Sequence, residues 1–231
     1  MQDTELYRYV LGLEDPWQVE KVQLDVRGER VDVWATHKEG VLWACPECGV
    51  RLPVYDHAPE RVWRHLDTCQ FKTFLHARIP RVACPDHGVK QAQVSWAGAH
   101  ARFTALFERL AIADLKETNI EGAGKILRIS WDEAWNIMDR AVARGRRRKR
   151  RGVIKKMGVD EKSLGKGHNY LTLVYDLDRV TVEDIEDDRR KEILDAYFCR
   201  LTPSQKAKIE AIATDHLGPL SGVYPGAHAG Q

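Results

Sequence analysis

Cys45 and Cys48 stand two residues apart in CPECG, and Cys84 and His87 stand at the same spacing in CPDHG. Thiolates and imidazoles are the donors zinc prefers, and two such pairs make a closed tetrahedral Cys₃His set. Proline and glycine recur in register around both pairs, as in knuckles whose backbone amides turn toward the sulfurs. Four filled positions leave none for a substrate, so the expected role is structural, a staple between two hairpin tips. The competing reading makes Cys84 an inert buried thiol and His87 a surface residue. A redox Cys-x-x-Cys would need a thioredoxin-like βαβ surround, which this stretch lacks. Cys69 and Cys199 have no partner at ligand spacing and read as ordinary buried or half-buried thiols. His57, His65 and His76 read as strand or loop histidines, with His65 the substitute ligand if His87 is not used.

A second stretch is intensely basic. Arg144 is followed by Arg146, Arg147, Arg148, Lys149, Arg150 and Arg151, and then by Lys155 and Lys156. Like charges at this density repel one another and cannot join a packed core. Phosphates would neutralise them, with an affinity that falls steeply with salt. The plainer alternative is a solvated linker. The run adjoins two helical patterns separated by Leu127-Arg128-Ile129-Ser130. That layout fits a helix-turn-helix over 117–144, whose second helix enters the major groove with its first residues at the base edges. Trp131, Asp132, Asn136 and Arg140 are then the residues nearest the bases. An ordinary αα-hairpin in a core would leave the same pattern.

The third constellation is acidic. Gly158-Val159-Asp160-Glu161 sits at the end of an apolar strand, a second strand ends in Asp176, and Asp215 follows Ala211-Ile212-Ala213-Thr214. Two carboxylates at the ends of neighbouring parallel strands could share divalent metal ions and drive phosphoryl transfer. Acids at strand ends are common, so spacing alone leaves a structural reading open.

Several elements must position these groups. Residues 31–95 read as short strands punctuated by Pro and Gly, with the cysteines at strand ends. Near Trp96 the pattern changes: Phe103, Leu106, Phe107, Leu110 and Ile112 recur at helical steps, and a second helix spans about 120–127. A third begins after Ser130, where Glu133 completes a capping box. Residues 153–165 and 169–178 read as strands, with 180–186 a candidate third. Arg189 to Ile212 is helical in pattern, interrupted by Pro203, which suits the start of a second helix after Thr202. The chain has 231 residues, 43% of them apolar, so a packed core is affordable. Net charge is only +2, so the basic run matters through its concentration. No apolar run approaches the roughly 18 residues that span a bilayer, and no secretory layout opens the chain. The expected location is therefore the cytoplasm.

Taken together, these blocks resemble transposases of the ISL3 family. CPECG and CPDHG look like that family's zinc-binding segment. RHLDTCQFKTFLHARIPRVACPDHGV and VSWAGAHARFTALFE look like its connection into a helix-turn-helix. GVDEKSLGKGHNYLTLVYDLD looks like the opening of its catalytic domain. The resemblance implies an α+β multi-domain chain. A β-rich zinc domain would span 1–95, a helix-turn-helix 96–145, a basic linker 146–157, and an incomplete RNase H-like α/β domain 158–231. It implies DNA cleavage and strand transfer with magnesium at an Asp-Asp-Glu triad, with Asp160 matching the first carboxylate and Asp215 the second. No acidic residue follows Asp215, so the expectation is the front portion of a transposase, one that binds DNA without completing catalysis. Structural zinc, catalytic magnesium in an intact enzyme, and transposon-end DNA are the implied ligands. A second copy or an intact transposase is the implied protein partner, and no membrane is expected. The alternatives are a zinc and helix-turn-helix module that regulates transposition, and a non-functional remnant.

Overall fold

The computed structural model describes residues 3–149, 152–163, 170–187 and 191–214. The chain divides into two compact units, 1–147 and 148–231. The first opens with helix α1 (Asp3–Val10), then strands β1 (Trp17–Asp25) and β2 (Arg30–His37). Four short strands follow: β3 (Trp43–Ala44), β4 (Arg51–Leu52), β5 (Asp56–His57) and β6 (Arg61–Arg64). Then come β7 (Lys72–Ala77), β8 (Pro80–Cys84), β9 (Gly88–Gln91) and helices α2 (Ala105–Glu117), α3 (Ile120–Leu127) and α4 (Trp131–Arg148).

Alternation builds the main sheet, ordered β1-β2-β7-β6. Val31, Val33 and Ala35 of β2 and Leu75 and Ala77 of β7 point inward, and β2 runs parallel to β7. Their neighbours Asp32, Trp34 and Thr36 face outward, half-buried. The inner face packs on Trp17, Trp43, Trp63 and Trp96. Trp17 meets Trp96 edge-on at 4.7 Å, an arrangement that suits the ring quadrupoles. The same cluster buries Cys45 and Cys84, so the metal-ligand candidates grow out of the core.

The helices close over a second core of Phe103, Phe107, Ala111, Ala123, Leu127 and Ile137. Ala111 and Ala123 have no exposed surface, and side chains this small let α2 and α3 approach closely; Ala134 of α4 is buried as well. Thr104 caps α2 by accepting from the Phe107 amide, and Asn119 caps α3 by accepting from the Gly122 amide. The expected box at α4 is present: Glu133 donates its amide to Ser130 Oγ at 3.2 Å, and Ser130 donates its amide to the Glu133 carboxylate at 3.0 Å.

The second unit holds β10 (Lys156–Ser163), β11 (Tyr170–Asp176), β12 (Thr181–Asp187), helices α5 (Lys191–Cys199) and α6 (Pro203–Lys206), and β13 (Ala211–Thr214). Its sheet runs β12-β11-β10-β13, with β10 antiparallel to β11 and parallel to β13. Met157, Val159, Val174, Tyr197 and Phe198 form its core. The helical pattern expected through Ile212 is corrected here. Helix α6 stops at Lys206, and Ala211–Thr214 is a strand. Ile209 and Ile212 bury on the sheet core, and tertiary packing overrides a weak local preference. Cys69 and Cys199 are both exposed, so the expectation of buried or half-buried thiols fails. Cys69 sits in a turn with φ of 54°. Among the described residues no helix is long and apolar enough to cross a membrane.

Candidate functional site

Each knuckle occupies a hairpin tip, the first between β3 and β4 and the second between β8 and β9. Gly49 and Gly88 take φ of 76° and 69°, the left-handed turn that each tip needs after its second ligand candidate. The donor atoms of Cys45, Cys48, Cys84 and His87 all lie within 4.8 Å of one another. Cys48 Sγ is 3.7 Å from Cys84 Sγ, and His87 Nδ1 is 3.4 Å from Cys84 Sγ and 4.0 Å from Cys45 Sγ. A tetrahedral ion with Zn–S bonds of about 2.3 Å would hold its sulfurs about 3.8 Å apart, so the set fits zinc. Backbone amides of Cys48 and Glu47 hold the Cys45 thiol below its ordinary pKa, which favours the thiolate that a metal needs. Cys45 and Cys84 are buried, while Cys48 and His87 face solvent.

His65, His76 and His57 each have partners of their own. His65, the alternative ligand, is buried with Nδ1 2.9 Å from Thr104 Oγ1. His76 lies between Asp32 at 2.5 Å and Glu60 at 3.0 Å. His37 and His57 meet Nε2 to Nε2 at 2.8 Å, with rings 15° apart in plane and centroids at 5.1 Å. A tetrahedral ion bonded to both would hold the two nitrogens about 3.3 Å apart or more, farther than the 2.8 Å observed. The pair is therefore a hydrogen bond. His37 Nδ1 faces the Lys38 carbonyl, which makes His57 the donor.

The helical pair has the geometry of a helix-turn-helix. Arg128 ends α3 in the left-handed region, and its amide and that of Ile129 return to carbonyls of α3, including Gly124. A Cβ on Gly124 would lie 3.1 Å from the Ile129 carbonyl, a tight contact that glycine avoids. The Arg128 side chain reaches the Gln70 carbonyl and Asp67, tying the turn to the strands.

On α4, Trp131 and Trp135 are exposed and stacked, with centroids 5.3 Å apart and planes within 7°. Asn136 is exposed beside them. Arg140 and Arg144 are differently placed: Arg140 donates to Glu108 at 2.7 Å, and Arg144 lies 3.5 Å from its other oxygen. Arg146, Arg147 and Arg148 are exposed and helical, since α4 runs on through Arg148. Lys149 donates to the Val182 carbonyl and pairs with Glu183 at 3.1 Å. Arg150 and Arg151 lie outside the described residues. Reading the sequence missed Trp135, although its place four residues after Trp131 puts both on one helical face.

Asp160 is half-buried in β10, opposite Leu173 of β11. Val159 pairs with Thr214 of β13, so Asp160 is the next residue along its strand, as Asp215 is in the chain. Asp215 lies outside the described residues. Asp176 is buried and accepts the amides of Asp178 and Arg179 at 3.0 and 3.1 Å, which makes it a turn residue.

Comparison with known proteins agrees with this arrangement. Residues 42–87 match the zinc-finger of transposase IS204/IS1001/IS1096/IS1165. Residues 92–142 match the helix-turn-helix domain of transposase family ISL3, and residues 157–221 match its transposase domain. The transposase for insertion sequence element IS1557 of Mycobacterium tuberculosis is 31% identical over 225 residues, covering 93% of this chain and 50% of that protein. The transposase for IS1001 of Bordetella parapertussis is 27% identical over 173 residues, covering 74% and 42%. The chain thus spans about half the length of the curated relatives it matches. No solved structure matches.

Proposed function

Because the chain belongs to the ISL3 family of transposases, we propose that its residues 1–149 bind the DNA ends of an insertion sequence. The observation that carries this reading is the exposed outer face of α4, continuous with Arg146, Arg147 and Arg148, on a helix whose turn is locked to the strands through Arg128. Trp131 and Asn136 are its base-facing residues, and the basic run through Arg150 and Arg151 is its phosphate contact. Arg140 and Arg144 act indirectly by pinning α4 to Glu108. Zinc held by Cys45, Cys48, Cys84 and His87 fixes the two hairpin tips and performs no chemistry.

The second unit is the beginning of a catalytic domain with the RNase H-like fold. Its support is the strand order, three antiparallel strands followed by a helical stretch and a strand that returns parallel to the first. Asp160 and Asp215 are the carboxylates proposed for magnesium, which in the whole protein supplies Lewis-acid activation of phosphoryl transfer. DNA cleavage and strand transfer belong to that whole protein.

The test is a footprint of the zinc-loaded chain on duplex carrying both ends of an ISL3 insertion sequence. Protection confined to the ends supports the reading. Uniform binding, or none, contradicts it.

A further inference from the structure

The face that α4 turns to solvent is apolar and acidic over its first three turns. Trp131, Trp135 and Val142 are exposed and Met138 is half-buried. Steps of four, three and four residues align them in one stripe. Asp132, Asn136 and Asp139 are exposed beside it. The arginines nearest these turns are already committed. Arg128 holds Asp67 and the Gln70 carbonyl, and Arg140 and Arg144 hold Glu108. The Glu108 side chain is only 12% exposed. Releasing Arg140 would leave that mostly buried carboxylate with only the longer 3.5 Å contact to Arg144. Among the described residues, Arg140 and Arg144 are half-buried against Glu108, and the fully exposed arginines of α4 are Arg146, Arg147 and Arg148 at its far end.

Side-chain chemistry determines which base edges such a face accepts. Guanine is read by Arg or Lys, adenine by Asn, the cytosine amino group by a carboxylate, and the thymine methyl by apolar surface. Resting on the assignment of α4 as the DNA-reading helix, we propose that the Trp131–Trp135 pair reads thymine methyl groups. Asn136 reads an adenine and Asp132 a cytosine, and these turns read no guanine. The stacked indoles form one broad, rigid apolar surface against the groove wall, and Arg146 to Arg148 hold the phosphates beyond it.

The test selects binding sites from a random duplex library with the zinc-loaded full chain. It then compares the selected duplex carrying thymine with the same duplex carrying deoxyuridine, which lacks only the methyl. We expect about fourfold weaker binding for each contacted thymine so replaced. The double variant Trp131→Ala, Trp135→Ala should bind both duplexes equally and keep the parent's salt slope. Circular dichroism of the variant checks that its helices remain. Equal affinity of the parent for both duplexes, a guanine-dominated motif, or a double variant that still discriminates overturns the inference and leaves DNA binding standing. Failure to bind any duplex at low salt overturns both the inference and the function it rests on.

Discussion

Glu108 of α2 accepts from the Arg140 guanidinium of α4 at 2.7 Å, with the glutamate side chain 12% exposed and the arginine side chain 43%. The pair ties α4, the helix proposed to read DNA, to α2. Exposure of the arginine screens the attraction and places its worth near the low end, about 1 kcal/mol. Glu108→Gln should lower stability by about that amount and release Arg140 and Arg144. Denaturant melts measure the first effect. An unchanged midpoint would mean the pair does not brace α4.

Zinc should leave with a ligand. The Cys84→Ser variant, after dialysis, should hold far less than one zinc per chain and lose structure around the β8–β9 tip, because metal affinity here is folding free energy. Cys69→Ser, which changes an exposed thiol outside the cluster, should retain the metal. Metal analysis of the two variants side by side decides the matter. Equal zinc in both would exclude Cys84 as a ligand.

Gly124 makes a third test. A methyl group there would lie 3.1 Å from the Ile129 carbonyl, inside the turn between α3 and α4. Gly124→Ala should cost about 1–3 kcal/mol through overpacking, more than any gain from helix propensity. A thermal melt at or above the parent's would show that the turn yields freely.

Much of this was legible in the sequence because it depends on local spacing. The Cys-x-x-Cys and Cys-x-x-His pairs, the Ser130–Glu133 box and the helical periodicity all act within a few residues. The strand ahead of Asp215 was legible as a candidate parallel neighbour but its start was not: the helical pattern ran on through Ile212, and pairing with β10, far back in the chain, leaves no local mark where the strand begins. Arg140 reads in sequence as a residue near the DNA bases, and only the fold brings Glu108 to it from 32 residues away. Exposure of Cys69 and Cys199 likewise depends on long-range packing. Trp135 was within reach, because its spacing from Trp131 already implied a shared face.

Acid should loosen the first unit through His65. Burial, the main cause, lowers its pKa from 6.5 to about 4. Thr104 Oγ1, which accepts from the Phe107 amide, has its own proton available for His65 Nδ1. A folded pKa below the unfolded value means the fold prefers the neutral ring. Its contribution is therefore fully present above pH 6.5 and is lost as pH falls from there toward 4. The loss approaches about 3 kcal/mol. Comparing stability against pH for the parent and His65→Gln isolates it: the parent should fall more steeply over that window. Parallel curves would remove His65 from the account.

If this chain grips DNA phosphates through the end of α4, its salt dependence must run through Arg146, Arg147 and Arg148. The direct measurement is affinity for a duplex against salt concentration, for the zinc-loaded parent and for a variant with Arg146, Arg147 and Arg148 replaced by Gln. Each lost phosphate contact should reduce the log–log slope by about 0.9. The expected slope is shallower by between one and three such steps, with weaker binding at low salt. The same slope and affinity for both proteins would contradict it.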